Sequence, residues 1–129
     1  MDNLVIEATK SSPSVHFDAD SGVLEMKGKS YPENAARFYA PILKWLQECL
    51  EHFVGKQIEL NLELVYLNSS SSKALLNLLG MLDRWAKSGQ KVVINWRYHE
   101  ENDVALECGE EFREDLEAVT FNLVGISKE

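Results

Sequence analysis

The sequence predicts an α/β fold, with a mixed sheet of four to five strands and three helices in the order β-β-α-β-α-β-α-β. Three observations predict it. Apolar residues recur at helical spacing in three separate segments. Around those segments apolar and polar residues alternate, as they do in strands. After residue 56 strands and helices take turns, which argues for parallel strands joined by right-handed crossovers. At 129 residues the chain suits one domain, 1–129, with one core.

The elements follow in order. Residues 1–13 are mixed, and "LVIEA" (4–8) reads either as a short strand or as a loosely docked tail. "SPSVHFD" and "GVLEMKG" flank an Asp-Ser-Gly turn, which gives an antiparallel hairpin near 14–18 and 23–28. Ser30 with Glu33 three residues on has capping-box spacing, and Pro32 falls in the first turn. Ala35, Phe38, Tyr39, Ile42, Leu46, Cys49, Leu50 and Phe53 then recur at helical spacing. Pro41 must kink or divide this helix, because it removes the bond to residue 37. Gly55 ends it.

"QIELNLELVYL" (57–67) alternates as a long strand. Ile58, Leu60, Leu62, Leu64 and Tyr66 share one face, while Glu59, Asn61 and Glu63 share the other. Four serines, 69–72, lead into a helix whose stripe is Ala74, Leu75, Leu78, Leu79, Leu82, Trp85 and Ala86. Gly89 caps its end. "KVVINWRYH" is the next strand. Asn102 caps a third helix, and "AVTFNLVG" is the last strand.

Bulk properties exclude several classes. Hydrophobic residues make up 45% of the chain, which argues against disorder. The net charge of -8 makes nucleic acid and anionic membranes poor partners. No apolar run approaches the roughly 20 residues that span a bilayer. Asp2 stands where a signal peptide carries positive charge, so a cytoplasmic location is expected.

Catalytic chemistry is not legible. The glycines form no phosphate loop, so no cofactor is expected. His16, His52 and His99 lie on different elements, and Cys49 and Cys108 have no ligand-spaced partners, so no metal is expected. The two cysteines read as small buried thiols. Glu110, Glu111, Glu114 and Asp115 read as a solvated helix face, and Phe112 as core. Tyr31, Phe38, Tyr39, Trp45, Phe53, Trp85 and Trp96 read as an aromatic-rich core, with a ligand pocket as the alternative.

The serines are the informative feature. A helix N-terminus leaves about four N–H groups unpaired and carries partial positive charge. One of the first three serines would cap it. A phosphoryl group on such a serine would sit against the same N–H groups and add about -1.5 to -2 charges.

The segment "VYLNSSSSKALLNLLGML" resembles the end of the corresponding strand in STAS-type anti-sigma-factor antagonists. There an acidic residue precedes the phosphorylated serine; Asn68 and Ser69 hold those places here. The closer resemblance is to the SiaC family of regulatory phosphoproteins. It rests on "SYPEN" (30–34), "YLNSSSSKA" (66–74) and "EEFRED" (110–115), and covers about Gly22 to Glu117.

That resemblance implies a STAS-like domain and a non-enzymatic partner switch. The unphosphorylated form would bind and activate a diguanylate cyclase, raising cyclic di-GMP and favouring biofilm. A serine/threonine kinase of histidine-kinase-like fold would phosphorylate it, and a PP2C-type phosphatase would restore it. The family carries threonine directly after Tyr-Leu-Asn. Ser69 occupies that position here and is the implied acceptor, with Ser70 second. Tyr31, Pro32, Glu33, Asn34, Tyr66, Asn68, Ser70 and Arg113 are the implied binding residues. The alternatives are a STAS-type antagonist acting on an anti-sigma kinase, and a small-ligand-binding domain.

Overall fold

The computed structural model describes residues 2–127. Ten described elements run along the chain. β1 (Leu4–Ile6), β2 (Ser14–Phe17) and β3 (Val23–Ser30) come first. α1 (Ala35–Cys49) runs into a 3-10 turn (Leu50–Phe53). Then come β4 (Ile58–Leu67), α2 (Ser69–Lys87), β5 (Val92–His99), α3 (Asp103–Glu114) and β6 (Thr120–Ile126).

The sheet has six strands, not four to five, because residues 4–6 form a strand. Of the two readings open for "LVIEA", the strand is the one that forms. It pairs antiparallel with β2, Val5 opposite His16. The Trp45 indole N–H also reaches back to the Asp2 carbonyl, at 2.9 Å.

Spatial order equals chain order, β1-β2-β3-β4-β5-β6. β1, β2 and β3 are antiparallel neighbours, whereas β3 to β6 are parallel. Each parallel step advances in the same direction across the sheet. Right-handed crossovers therefore place α1, α2 and α3 on one face. The register shows the consequence. Leu24, Leu60, Ile94 and Phe121 line up across the helix-covered face, as do Met26, Leu62, Trp96 and Leu123. The other face carries Glu25, Asn61, Asn95 and Asn122 in one row. Asn122 donates to Asn95, Asn95 to Asn61 and Asn61 to Glu59, each at 2.9 Å. That amide chain satisfies Asn61, which is only 8% exposed.

The start of α1 departs from the sequence reading. Ser30 and Glu33 form no capping box, and Pro32 precedes the helix. Asn34 is the cap; its side chain accepts from Arg37 N–H at 3.0 Å. Two constraints decide this. Ser30 is held in the sheet, where its carbonyl accepts from Asn68 N–H at 3.0 Å. Pro32 disfavours helical backbone at Tyr31. Pro41 does not divide α1, which runs unbroken through it. The residue is exposed, so water can reach the Arg37 carbonyl that loses its partner.

The register between β3 and β4 shifts at Gly28/Lys29. Gly28 pairs with Leu64, but Lys29 pairs with Tyr66, so β4 has one extra residue, Val65. Because side chains alternate, one extra residue swaps the faces beyond it. Tyr66 therefore does not join Ile58, Leu60, Leu62 and Leu64 in the core; it is 51% exposed. Leu67 turns toward the core instead. Gly28 sits at φ +126, a conformation open to glycine, with Pro13 packed beside it.

Tyr31, expected in the core, is not part of it and packs edge to face against the exposed Tyr66 instead; the other expected aromatics are in place. Tyr39, Phe53, Trp96 and Phe112 are buried, and Phe38, Trp45 and Trp85 pack partly buried against them. Cys49 is buried and Cys108 half-buried; both are free thiols. Burial, with Glu111 nearby, pushes the Cys108 thiol up to about 11. No described helix is long and apolar enough to cross a membrane.

Candidate functional site

The site is built at the junction of β4 and α2. The chain leaves the sheet at Leu67 and enters the helix at Ser69. The cap is Asn68, not a serine. Its backbone is extended, and its side-chain oxygen accepts from Ser71 N–H at 2.8 Å. Asn is among the preferred capping residues, so the serines are free for other roles.

The four serines then differ by helical geometry. Ser71 lies four residues before Leu75 and eleven before Leu82, on the buried stripe of α2. It is fully buried, and its hydroxyl accepts from Ser30 at 2.8 Å. Ser72 is half-buried. Ser69 and Ser70 are exposed. Their N–H groups belong to the first turn, which has no intrahelical acceptors.

Around these two serines the surface is mixed. The Tyr31 and Tyr66 rings meet edge to face, with centroids 5.9 Å apart. Val65 and Val104 stand exposed near Tyr66, Val104 at 73%. Asn102, which caps α3, also donates from its side chain to the Val65 carbonyl, so the start of α3 borders the junction. On the other side a groove of about 520 Å³ runs between α1 and α2. Glu33, Asn34 and Tyr39 line one wall, and Ser70, Lys73 and Asn77 line the other.

The structure thus gathers Tyr31, Glu33, Asn34, Tyr66, Asn68, Ser69 and Ser70 at one end of the molecule, with Pro32 in the same segment. It does not bring Arg113 there. Arg113 lies in the last turn of α3, nine residues beyond Val104 and therefore about 13 Å along the axis. Ser30, Tyr39 and Lys73 are residues of the junction that sequence reasoning missed. The signal was present for Ser30: it continues the core phase of Leu24 and Met26. The same holds for Ser71, which falls on the apolar stripe.

Burial pushes the Tyr39 phenol up from its ordinary range, and the nearby Ser30 and Ser71 hydroxyls oppose the shift. No cluster of metal-binding side chains occurs among the described residues.

The model of the SiaC family regulatory phosphoproteins matches residues 6–126. The chain belongs to the SiaC family. A curated relative is the uncharacterized protein PA14_02130 of Pseudomonas aeruginosa (strain UCBPP-PA14). It is 37% identical over 115 residues, which is 89% of this chain and 90% of that one. Solved structures of P. aeruginosa SiaC superpose over nearly the whole SiaC-family chain. One has a TM-score of 0.90 at 34% identity, covering 98% of this chain and 100% of its own. Another is the diguanylate cyclase SiaD in complex with its activator SiaC. There the TM-score is 0.89 at 35% identity, with 95% and 99% covered. The family is one of regulatory phosphoproteins, and the chain shares its fold from β1 to β6.

Proposed function

We propose that this SiaC-family chain is a non-enzymatic partner switch whose unphosphorylated form binds and activates a diguanylate cyclase, and that phosphorylation at Ser69 blocks this. The observation that carries the reading is the division of labour among the serines. Asn68 supplies the cap and Ser71 is consumed by the core, which leaves Ser69 and Ser70 exposed with no structural duty. The solved complex of a cyclase with its SiaC activator supports the choice of partner.

The physical effect depends on where the charge would land. A phosphoserine adds about -1.5 to -2 charges, and the head of α2 accommodates it without unfolding. A docked partner would have to bury that charge beside Tyr66, Val65 and the α1–α2 groove. Each 1.4 kcal/mol of repulsion or desolvation weakens binding about tenfold. A serine/threonine kinase of histidine-kinase-like fold and a PP2C-type phosphatase would set the balance, in the cytoplasm. Tyr31, Pro32, Glu33, Asn34, Tyr66, Asn68 and Ser70 form the docking face of this reading. Arg113 lies outside it.

The test is reconstitution with a diguanylate cyclase. The chain and Ser69→Ala should both raise cyclic di-GMP synthesis. Kinase treatment should silence the former and spare the latter, and Ser69→Asp should bind more weakly than either. Intact-mass and peptide mass spectrometry places the phosphate. Stoichiometric phosphorylation of Ser69→Ala would move the acceptor to Ser70. Failure of the unphosphorylated chain to bind any cyclase would sink the reading.

A further inference from the structure

Beneath the serine turn lies a chain of hydroxyls. Ser30, Tyr39 and Ser71 are all buried. Ser30 Oγ donates to Ser71 Oγ at 2.8 Å, and the Tyr39 hydroxyl stands 2.8 Å from Ser30 Oγ. A serine has one hydroxyl proton. Ser30 has given its proton to Ser71, so Tyr39 is the donor to Ser30. The chain therefore has a direction, Tyr39 to Ser30 to Ser71. It begins on α1, passes the end of β3 and finishes in the first turn of α2.

Asn68 closes a ring at the finishing end. Its N–H donates to the Ser30 carbonyl at 3.0 Å, and its side-chain oxygen accepts from Ser71 N–H at 2.8 Å. Ser71 is thus held twice, by its N–H to Asn68 and by its hydroxyl to Ser30. At the starting end Tyr39 lines the groove between α1 and α2. A buried hydroxyl left without a partner is unfavourable. A displacement of Ser71 is therefore felt at Ser30 and then at Tyr39.

We propose that this hydroxyl chain transmits the state of the serine turn to the α1 wall of the groove, with Tyr39 as the positioning residue at its far end. The proposal rests on the switch reading above and deepens it. A phosphoryl group on Ser69 or Ser70 brings charged oxygens that accept from the amides of that turn. Ser71 N–H is held there by the neutral oxygen of Asn68. A charged acceptor competes for it with roughly twice the strength of a neutral one. Once the phosphoryl group takes that N–H, Asn68 lets go and Ser71 shifts against Ser30. The two capping arrangements are the two states of the device, and the hydroxyl chain reports which one is present.

The experiment places phosphoserine at position 69, and in a second sample at 70, during protein synthesis, so that no kinase is needed. Tyrosine rings carry 13C labels, and Tyr39→Phe assigns the Tyr39 signal. Phosphorylation should shift that signal in an otherwise unchanged chain. The shift should vanish in Ser71→Ala and in Ser30→Ala, each of which breaks the chain and keeps the reporter. If one variant does not fold, the other decides. A Tyr39 signal that stays put in both phosphorylated samples, or moves equally in the broken variants, overturns the proposal. Binding of the same samples to a diguanylate cyclase separates this from the switch reading. Lost binding with a silent Tyr39 overturns the hydroxyl chain alone. Undiminished binding of both phosphorylated samples overturns the switch, while a responding Tyr39 still supports the chain.

Discussion

Near its two ends α2 holds backbone N–H groups with different chemistry, its own at the N-terminal end and those of the segment before β6 at the other. Each has a side chain that accepts from backbone N–H groups. At the N-terminal end a neutral amide, Asn68, holds one N–H, and exposed serines stand beside it. At the C-terminal end a buried carboxylate, Asp83, holds three, those of Glu117, Ala118 and Val119, the shortest at 2.8 Å. Lys87 adds a cation 3.7 Å from it. The C-terminal end has its negative charge built in and is closed. The N-terminal end has the donors but no charge. A fixed acid serves a permanent joint; a neutral cap leaves room for a charge that comes and goes.

The largest effect should come from the seam between α3 and β5 rather than from either end of α2. Gly109 packs α3 against β5, where an added Cβ would lie 2.5 Å from the Trp96 ring and 2.9 Å from Leu123. Trp96 also donates to the Ala105 carbonyl at 2.9 Å, which fixes the ring. Gly109→Ala should therefore cost about 3 kcal/mol through overpacking. A urea midpoint measures it, and a loss under about 0.5 kcal/mol would show that α3 can slide.

Asp83→Asn comes next, with an expected loss of about 2 kcal/mol, because three amides trade a charged acceptor for a neutral one. Burial raises the Asp83 pKa, but the N–H groups of Ala118, Val119 and Glu117, with Lys87, outweigh it. The carboxyl is held below its ordinary range. A lowered folded value contributes stability above the unfolded pKa of about 3.9 and loses it as pH falls through the folded one. Acid unfolding below about pH 4 should thus be less steep in Asp83→Asn. An unchanged acid transition would remove Asp83 as the source.

The smallest effect belongs to the open side. Asn68→Ala should cost about 1 kcal/mol, the usual value of a lost cap. The thermal midpoint measures this. If phosphorylation supplies a substitute cap, phosphoserine at 69 should recover part of the loss in this variant. A junction as costly to disturb as the Asp83 joint would erase the distinction between the two ends.

The sequence by itself determined three helices, the hairpin, the long strand and the alternation that makes them parallel neighbours. These are local signals: apolar period, Gly89 at φ +103 after α2, and Asn102 at the head of α3. The blocks around residues 30–34 and 66–74 also marked the serine turn without any geometry. Tertiary structure decided the rest. Residues 4–6 became a strand only because β2 offers an edge. Ser30 lost its capping role because the sheet holds its carbonyl and Pro32 keeps its neighbour extended. Tyr66 faced outward because one extra residue of β4, Val65, swaps the faces, and the alternation of β4 alone does not show where its pairing with β3 skips a residue. Among the four serines the family resemblance ranked Ser69 first and Ser70 second, and helical phase put Ser71 on the apolar stripe, but neither showed what Ser71 would meet there. The burial of Ser71 against Ser30, 41 positions away in the chain, separates it from the others, since hydrogen bonds at that range exist only once the sheet and helices have met.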